Sequence, residues 1–524
     1  MYTNRPASGY LTGMSQDQPT AASPATRPLR FFHRGKTVSV QGLASTTTVL
    51  GWLREQARCT GTKEGCNEGD CGACTVLVGE LQADDSVQFK PVNSCLQFLP
   101  TLDGKALVTV EDLAGQHPAQ QAMVDCHGAQ CGFCTPGIVM SLAACAERHR
   151  VAQTTPTRQQ IADDLSGNLC RCTGYRPILD AGERLFTLAP QRLDSAAMVA
   201  ALRALRADRA LHYAAATPFH APRTLAELAA LRLAKPDARL LAGGTDIGLW
   251  VNKQFRELGE IIWLGEVAEL KTIHQADGWL TIGAGASLDA AWDALAAQWP
   301  DTRQMGLRFA SLPVRQAGTL GGNIANGSPI GDSAPVLIAL GAEIELRRGD
   351  RQRQMALQDF YLGYMVNQLA PGEFVQALHV PLPLPLPGPL SPPEAGGAAG
   401  SGERLRVYKL SKRHDCDISG LAAGLWLRLD GDQVVDARFA FGGMAATVRR
   451  AAQAEAAVRG QRWTEATVQA AMQALDADFQ PLSDLRASAS YRRRAARKLL
   501  LRLWLETRAD APLPADQLSV WSAA

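Results

Sequence analysis

The reading of this chain turns on Thr60-Gly61-Thr62-Lys63-Glu64-Gly65-Cys66-Asn67-Glu68-Gly69-Asp70-Cys71-Gly72-Ala73-Cys74-Thr75-Val76. Cys66, Cys71 and Cys74 are spaced C-x4-C-x2-C, and Cys95 follows 21 residues after the last of them. Such spacing suits iron–sulfur ligation, in which four thiolates hold a two-iron cluster and backbone N–H groups turn toward its sulfurs. The glycines at 61, 65, 69 and 72 let the loop wrap that tightly, because glycine tolerates positive φ. The alternatives are a zinc loop or scattered buried thiols. Zinc sites favour paired C-x2-C modules, which this loop lacks.

Working outward, Leu29-Arg-Phe-Phe-His33 and Lys36-Thr-Val-Ser-Val40 read as a hairpin turning at Arg34-Gly35. Thr48 to Ala57 reads as a short amphipathic helix, and Cys74-Thr-Val-Leu-Val78 as a strand. Strands, one helix and a ligand loop of plant-type [2Fe-2S] spacing predict a β-grasp ferredoxin domain over residues 29–111.

A second quartet follows: Cys131-Gly132-Phe133-Cys134, then Cys170-Arg171-Cys172. Thr135-Pro136 reads as a helix N-cap with proline in the first turn, opening a helix over about 137–147. Thr157-Arg-Gln-Gln160 reads as a capping box, with its helix stopping near Gly167-Asn168. Taken alone, the quartet also suits zinc. In context, Cys131-Gly-Phe-Cys-Thr-Pro-Gly137 and Gly167-Asn-Leu-Cys-Arg-Cys-Thr-Gly-Tyr-Arg-Pro177 resemble the second-cluster motifs of the xanthine dehydrogenase (molybdenum hydroxylase) family. That resemblance implies a second [2Fe-2S] cluster in an all-helical domain over 112–190. It also puts Gln130 near a molybdenum cofactor, the alternative being a surface glutamine.

Composition sets the frame. The 524 residues allow three or four domains. At 46% hydrophobic and 20% charged residues the chain reads as globular, and a net charge of +2 argues against nucleic-acid or membrane-surface partners. Of twelve cysteines, eight form the two quartets, leaving Cys59, Cys126, Cys145 and Cys416. Clustered ligand spacing predicts a reducing compartment, the cytoplasm. No apolar signal core and no run of 18 apolar residues are visible, so no secretion or membrane span is expected.

Residues 1–28, rich in Pro, Thr, Ser and Ala, are expected as a disordered extension, 191–215 as a linker with helical stretches, and 216–384 as a further domain. Within it, Arg239-Leu-Leu-Ala-Gly-Gly-Thr-Asp-Ile-Gly248 follows a strand and could offer backbone N–H groups to a pyrophosphate. Gly318-Thr-Leu-Gly-Gly-Asn-Ile-Ala-Asn-Gly-Ser-Pro-Ile-Gly-Asp332 is a second glycine-rich segment. Each is weak alone, with ordinary tight turns as the alternative. Together and in this order they resemble the family's FAD-binding domain. The resemblance implies that Leu240, Leu241, Ala242, Gly243, Gly244, Thr245, Asp246 and Ile247 hold the FAD pyrophosphate. Phe309 would pack near the flavin, Thr319, Gly321, Gly322, Asn323 and Asn326 would complete the cradle, and Asp332 would bind a ribose or adenine-side group. Gly283-Ala-Gly-Ala-Ser-Leu288 lacks the third glycine and the βαβ setting of a Rossmann site. No separate NAD domain is expected.

Residues 385–402 read as a flexible Pro/Gly loop and 513–524 as a tail. Between them, Tyr408-Lys-Leu-Ser-Lys-Arg-His-Asp-Cys-Asp-Ile418 and Phe441-Gly-Gly-Met-Ala445 resemble the family's flavoprotein C-terminal domain, over 403–512. Lys409 matches a flavin-contacting lysine, with a surface lysine as the alternative, and Val375 matches a backbone FAD contact. Tyr491-Arg-Arg-Arg-Ala-Ala-Arg-Lys498 reads as a solvated helix face.

The predicted architecture is thus α+β and multidomain, in the order of a xanthine dehydrogenase small subunit. The resemblance implies electron flow from a molybdenum-cofactor large subunit, in an α2β2 heterotetramer, through the Cys131/Cys134/Cys170/Cys172 cluster. From there electrons pass through the Cys66/Cys71/Cys74/Cys95 cluster to FAD, which reduces NAD+ as hypoxanthine or xanthine becomes urate. The same subunit of a hydroxylase acting on another N-heterocycle or aldehyde stays open, as does a non-catalytic electron carrier. No stretch resembles the molybdopterin-binding domains, so molybdopterin is expected on the partner.

Overall fold

The computed structural model describes residues 26–383, 402–514 and 517–518. Most of the expected N-terminal extension, nearly all of the Pro/Gly loop and much of the C-terminal tail lie outside these residues.

The first sheet runs in the order Lys36–Val40, Leu29–His33, Ala106–Val108, Thr75–Leu81, Val87–Asn93. Its hairpin turns at Arg34 and Gly35, with φ of 49° and 75°. Two consecutive positive φ values suit a two-residue turn that follows strand twist. Leu29–His33 runs parallel to Ala106–Val108, and the remaining pairs are antiparallel. The helix Val49–Glu55, capped by Thr48, sets Trp52 edge-on to Phe31 at 5.1 Å. This is the β-grasp arrangement.

Four helices follow: Pro118–Asp125, Thr135–Ala152, Arg158–Asp164 and Arg176–Leu185. Ile138, Leu142, Ile161 and Ile178 close their core. Thr157 and Gln160 make both halves of the capping box. Thr135 is not an N-cap. Cys134 holds the cap position, Thr135 is the first helical residue, and its Oγ1 is buried without a partner. Residues 191–215 carry the helix Ala196–Arg206, whose Met198, Leu202 and Leu205 complete the same core.

Two sheets form the next unit. Leu211–Tyr213, Phe219–Ala221, Ile261–Trp263 and Arg239–Leu241 make a small sheet whose last three strands are parallel. Its Leu211, Phe219, Ile261 and Trp263 share one core with Leu29, Phe31 and Trp52 of the first domain. Ile273–Ala276, Trp279–Gly283, Phe374–Pro381, Glu343–Arg348 and Arg351–Ala356 make an antiparallel sheet. Gly283 ends a strand of that antiparallel sheet, which is not the setting of a parallel dinucleotide-binding unit.

The last unit is the antiparallel sheet Glu403–Leu410, Leu421–Asp430, Gln433–Gly442, Arg449–Arg450. The helices Ala452–Val458, Glu465–Asp478 and Ala489–Thr507 cover it. The basic run on the last helix is not uniformly solvated: Arg493, Arg494 and Lys498 are exposed, but Arg492 is buried. Its guanidinium grips both oxygens of Asp484 at 2.8 Å and donates to the Gly443 carbonyl.

Candidate functional site

The first cysteine loop lies against the end of the ferredoxin sheet. Cys74 Sγ and Cys95 Sγ stand 3.3 Å apart, both buried, and Asn93 Nδ2 approaches Cys74 Sγ at 3.8 Å. The Cys71 backbone N–H donates to Cys66 Sγ at 3.3 Å. Within that pair the Cys71 hydrogen bond pulls the Cys66 thiol down to about 5, and the Cys71 thiol is pushed up in turn. The Cys74 thiol is lowered and the Cys95 thiol raised for the same reason. Four sulfurs in two close pairs form a donor set that fits two irons, two thiolates to each. Gly69 and Gly72 take the loop through φ of 77° and 69°.

The second quartet also gathers into pairs. Cys172 hydrogen-bonds Cys131, and Cys170 hydrogen-bonds Cys134, whose thiol burial and its neighbour push up to about 12. Thr173 Oγ1 donates to Cys170 Sγ at 3.2 Å, a neutral hydrogen bond of the kind that steadies a sulfur ligand. Cys131 and Cys172 are exposed, as are Gln130 and Phe133, which flank Cys131 in the chain. Three of the four spare cysteines have partners outside both sets: Cys59 packs by His33, Cys145 by Asp164, and Cys416 donates to the Ser166 carbonyl.

The two quartets are joined directly. The Leu169 N–H, one residue before Cys170, donates to the Cys71 carbonyl at 3.0 Å. Asn168 Nδ2 donates to the Gly72 carbonyl at 3.1 Å. A Cβ on Gly137 would lie 2.1 Å from Gly72 O, and one on Gly72 would lie 2.2 Å from Gly167 O. Backbone meets backbone there, and side chains would not fit.

The glycine-rich segments of the third unit face each other. A Cβ on Gly243 would lie 1.9 Å from Ala317 O, and one on Gly318 would lie 3.3 Å from Thr245 Oγ1. Trp263 Nε1 donates to the Ala242 carbonyl at 3.0 Å and Gln97 Nε2 to the Gly243 carbonyl at 3.0 Å, fixing that loop. Leu240 and Leu241 bring the strand in, and Ile247 begins the helix Ile247–Asn252. Opposite, Thr319 caps the helix Leu320–Asn326 through the Gly322 N–H, with Gly321 pressed on Ala284. A Cβ on exposed Gly322 would meet Thr319 Oγ1 at 2.9 Å and otherwise face Ala242 at 3.8 Å across the groove. Asn323 Oδ1 and Ser333 Oγ are buried without hydrogen-bond partners. Burial raises the Asp246 carboxyl above its ordinary value, against the opposing pull of Arg256. Paired loops, open backbone and unpartnered polar atoms fit a dinucleotide.

The five remaining residues that the resemblance points to are placed by their own partners within the chain. Lys409 is buried rather than on the surface, with Nζ 2.5 Å from Asp332 Oδ2 and 3.0 Å from Ser419 Oγ. Asp332 Oδ1 accepts from Ser419, so both its oxygens are engaged within the chain. Phe309 packs into the core beside Trp292 at 6.2 Å. Val375 lies on Phe374–Pro381 where the pairing with Glu343–Arg348 shifts register, and Asn326 ends its helix before Gly327.

The first cluster loop and this cradle touch as well. Cβ atoms on Gly244 and Gly248 would lie 3.3 and 3.0 Å from the Leu96 carbonyl, one residue after Cys95.

Four family models match along the chain. A 2Fe-2S iron-sulfur cluster binding domain matches residues 31–98 and a [2Fe-2S] binding domain matches 109–183. The FAD binding domain in molybdopterin dehydrogenase matches 212–383, and the CO dehydrogenase flavoprotein C-terminal domain matches 406–507. The chain carries the iron–sulfur and FAD domains of the molybdenum hydroxylase family. Xanthine dehydrogenase of Emericella nidulans is 29% identical over 90% of this chain and 39% of that protein. Aldehyde oxidase 2 of Cavia porcellus is 30% identical over 85% of this chain and 37% of that protein. A Hydrogenophaga pseudoflava carbon monoxide dehydrogenase chain, from an enzyme lacking the Mo-pyranopterin moiety, is 29% identical, with a TM-score of 0.49 over 54% of this chain and 94% of that one. The chain spans well under half the length of the two curated relatives. Among the described residues no helix is long and apolar enough to cross a membrane.

Proposed function

We propose that this chain is the iron–sulfur/FAD subunit of a xanthine dehydrogenase. A molybdopterin-bearing partner, in an α2β2 assembly in the cytoplasm, would oxidise hypoxanthine or xanthine, and NAD+ would accept the electrons at this chain. When bound, the clusters carry single electrons and the flavin pairs them for hydride transfer.

The observation that carries the reading is the unbroken contact from one quartet to the next and on to the cradle. It starts at exposed Cys131 and Cys172, crosses the Leu169–Cys71 hydrogen bond, and ends where Leu96 meets Gly244 and Gly248. Cys74 and Cys95 are buried, so their protein shell keeps water from the inner pair. Cys131 and Cys172 are open, and we assign the partner to their face, with Gln130 and Phe133. Backbone N–H groups at Gly243 and Gly244 would bind the pyrophosphate, Gly322 would leave room for it on the opposite wall, and Lys409 with Asp332 would brace the cradle.

The test separates the two half-reactions. The chain alone is expected to oxidise NADH with an artificial acceptor and to leave xanthine untouched. Adding the molybdenum subunit should yield xanthine-dependent NAD+ reduction. Similarity to an aldehyde oxidase supports a second reading, with an aldehyde or another N-heterocycle as substrate. Turnover of aldehydes but not purines by the complex would favour it, and NADH oxidation absent from the flavin-loaded chain would refute the acceptor assignment.

A further inference from the structure

The helix Ile247–Asn252 joins the two centres. Its first turn leaves the Gly243–Asp246 loop of the cradle, and its far end reaches the first cysteine loop. There Asn252 Nδ2 donates to the Cys95 carbonyl at 2.7 Å and to Asn67 Oδ1 at 3.3 Å. Lys253 Nζ donates to the Cys66 carbonyl at 2.6 Å. The two acceptors belong to cysteines of opposite pairs, so the helix end spans the ligand loop from one side.

We infer that Asn252 and Lys253 are positioning residues that raise the reduction potential of the first cluster. This rests on the reading that Cys66, Cys71, Cys74 and Cys95 hold that cluster. Reduction adds negative charge. A lysine ammonium donating to a ligand's own carbonyl favours the more negative state, and hydrogen bonding around sulfur ligands is a recognised lever on cluster potential. Glu68 Oε2 lies 3.7 Å from the same Nζ and offsets part of that charge. Lys253 is exposed, so its effect is screened by salt. Asn252 acts without charge, by fixing the carbonyl directions of Cys95 and the Asn67 turn. Among the described residues neither side chain has a hydrogen bond to the second quartet.

An EPR-monitored redox titration of the full chain, followed cluster by cluster, tests this. Lys253→Met and Lys253→Gln should each weaken the first cluster's electron affinity by roughly three- to tenfold, about 30–60 mV for one electron. Lys253→Arg, which keeps the cation, should stay near wild type. The second cluster should not move, and the Lys253→Met effect should shrink at high salt. Asn252→Leu should lower the same potential without salt dependence. Full iron content with unchanged potentials in Lys253→Met, or equal shifts in both clusters, would overturn the inference. Absence of iron from the wild-type chain would overturn the cluster assignment itself, and the inference with it.

Discussion

Gly243→Ala should empty the dinucleotide cradle while leaving both iron sites filled. The added Cβ would stand 1.9 Å from Ala317 O and 2.6 Å from Gly318 Cα, against ordinary contacts of 3.4 Å or more. The loops must therefore part by about 1.5 Å, and both obstructing atoms are backbone, which cannot swing aside. Overpacking of this kind costs about 1–3 kcal/mol. That strain would be felt mainly by the ligand bridging the loops, which corresponds to roughly five- to 150-fold weaker FAD binding. Gly322→Val attacks the same groove from the opposite wall. The assay is the flavin-to-iron ratio of the purified chain, followed by a flavin titration of the stripped protein. Iron should stay at the wild-type level, because the atoms that obstruct the new Cβ belong to Ala317 and Gly318 and to no cysteine. A Gly243→Ala chain that binds FAD as tightly as wild type would refute the facing-loop account.

Three further outcomes follow from the geometry. Cys71→Ser should remove one [2Fe-2S] EPR signal and Cys172→Ser the other, each with loss of two of four irons; stoichiometric zinc in the wild-type chain would contradict this. Replacing Cys59, Cys126, Cys145 or Cys416 by Ala should keep all iron, at a modest stability cost for the buried Cys59 and Cys145; iron loss in Cys126→Ala would show a misassigned ligand. His117 caps the helix Pro118–Asp125 by accepting the Ala119 N–H at Nδ1, and burial holds its pKa down at about 4. Because the folded value is depressed below an unfolded value of about 6.5, its contribution is full above pH 6.5 and lost as pH falls toward 4. On the order of 3 kcal/mol should disappear over that window, and His117→Asn, a cap that does not titrate there, should flatten the pH dependence of denaturant unfolding.

The gathering of the eight cysteines into two sets was legible because cysteine spacing is a local signal. The capping box at Thr157 and the turn at Arg34-Gly35 were legible for the same reason, since each is settled within four residues. What escaped was set by distant partners. For Lys409 the sequence left a flavin contact and a surface lysine both open, and only Asp332, 77 positions earlier, shows that it lies in the interior. Arg492 likewise reads as one of several solvated arginines until the Asp484 carboxylate folds over it. Thr135 before Pro136 has the residue type of a cap, but the chain enters that helix one residue earlier, at Cys134. The Ala/Arg/Leu segment at 191–215 has weak patterning, and its docking depends on a groove built by the earlier helices. The Leu169–Cys71 link has no sequence signature, being one backbone N–H and one backbone carbonyl. The role given to Asn252 and Lys253 likewise appears only when two domains are seen together.

The interlock of Gly72, Gly137 and Gly167 has a mechanical consequence. Residues in backbone-to-backbone contact leave no slack for a hinge, and close-packed interfaces tend to be bistable or fixed rather than continuously deformable. A swinging carrier arm, which some redox machines use to ferry electrons, has nowhere to swing here. The separation between the two quartets is set when the chain folds and does not vary from one turnover to the next. Transfer between them should therefore be insensitive to solvent viscosity, and any viscosity dependence of turnover should arise at the outer surfaces, where substrates and partners come and go.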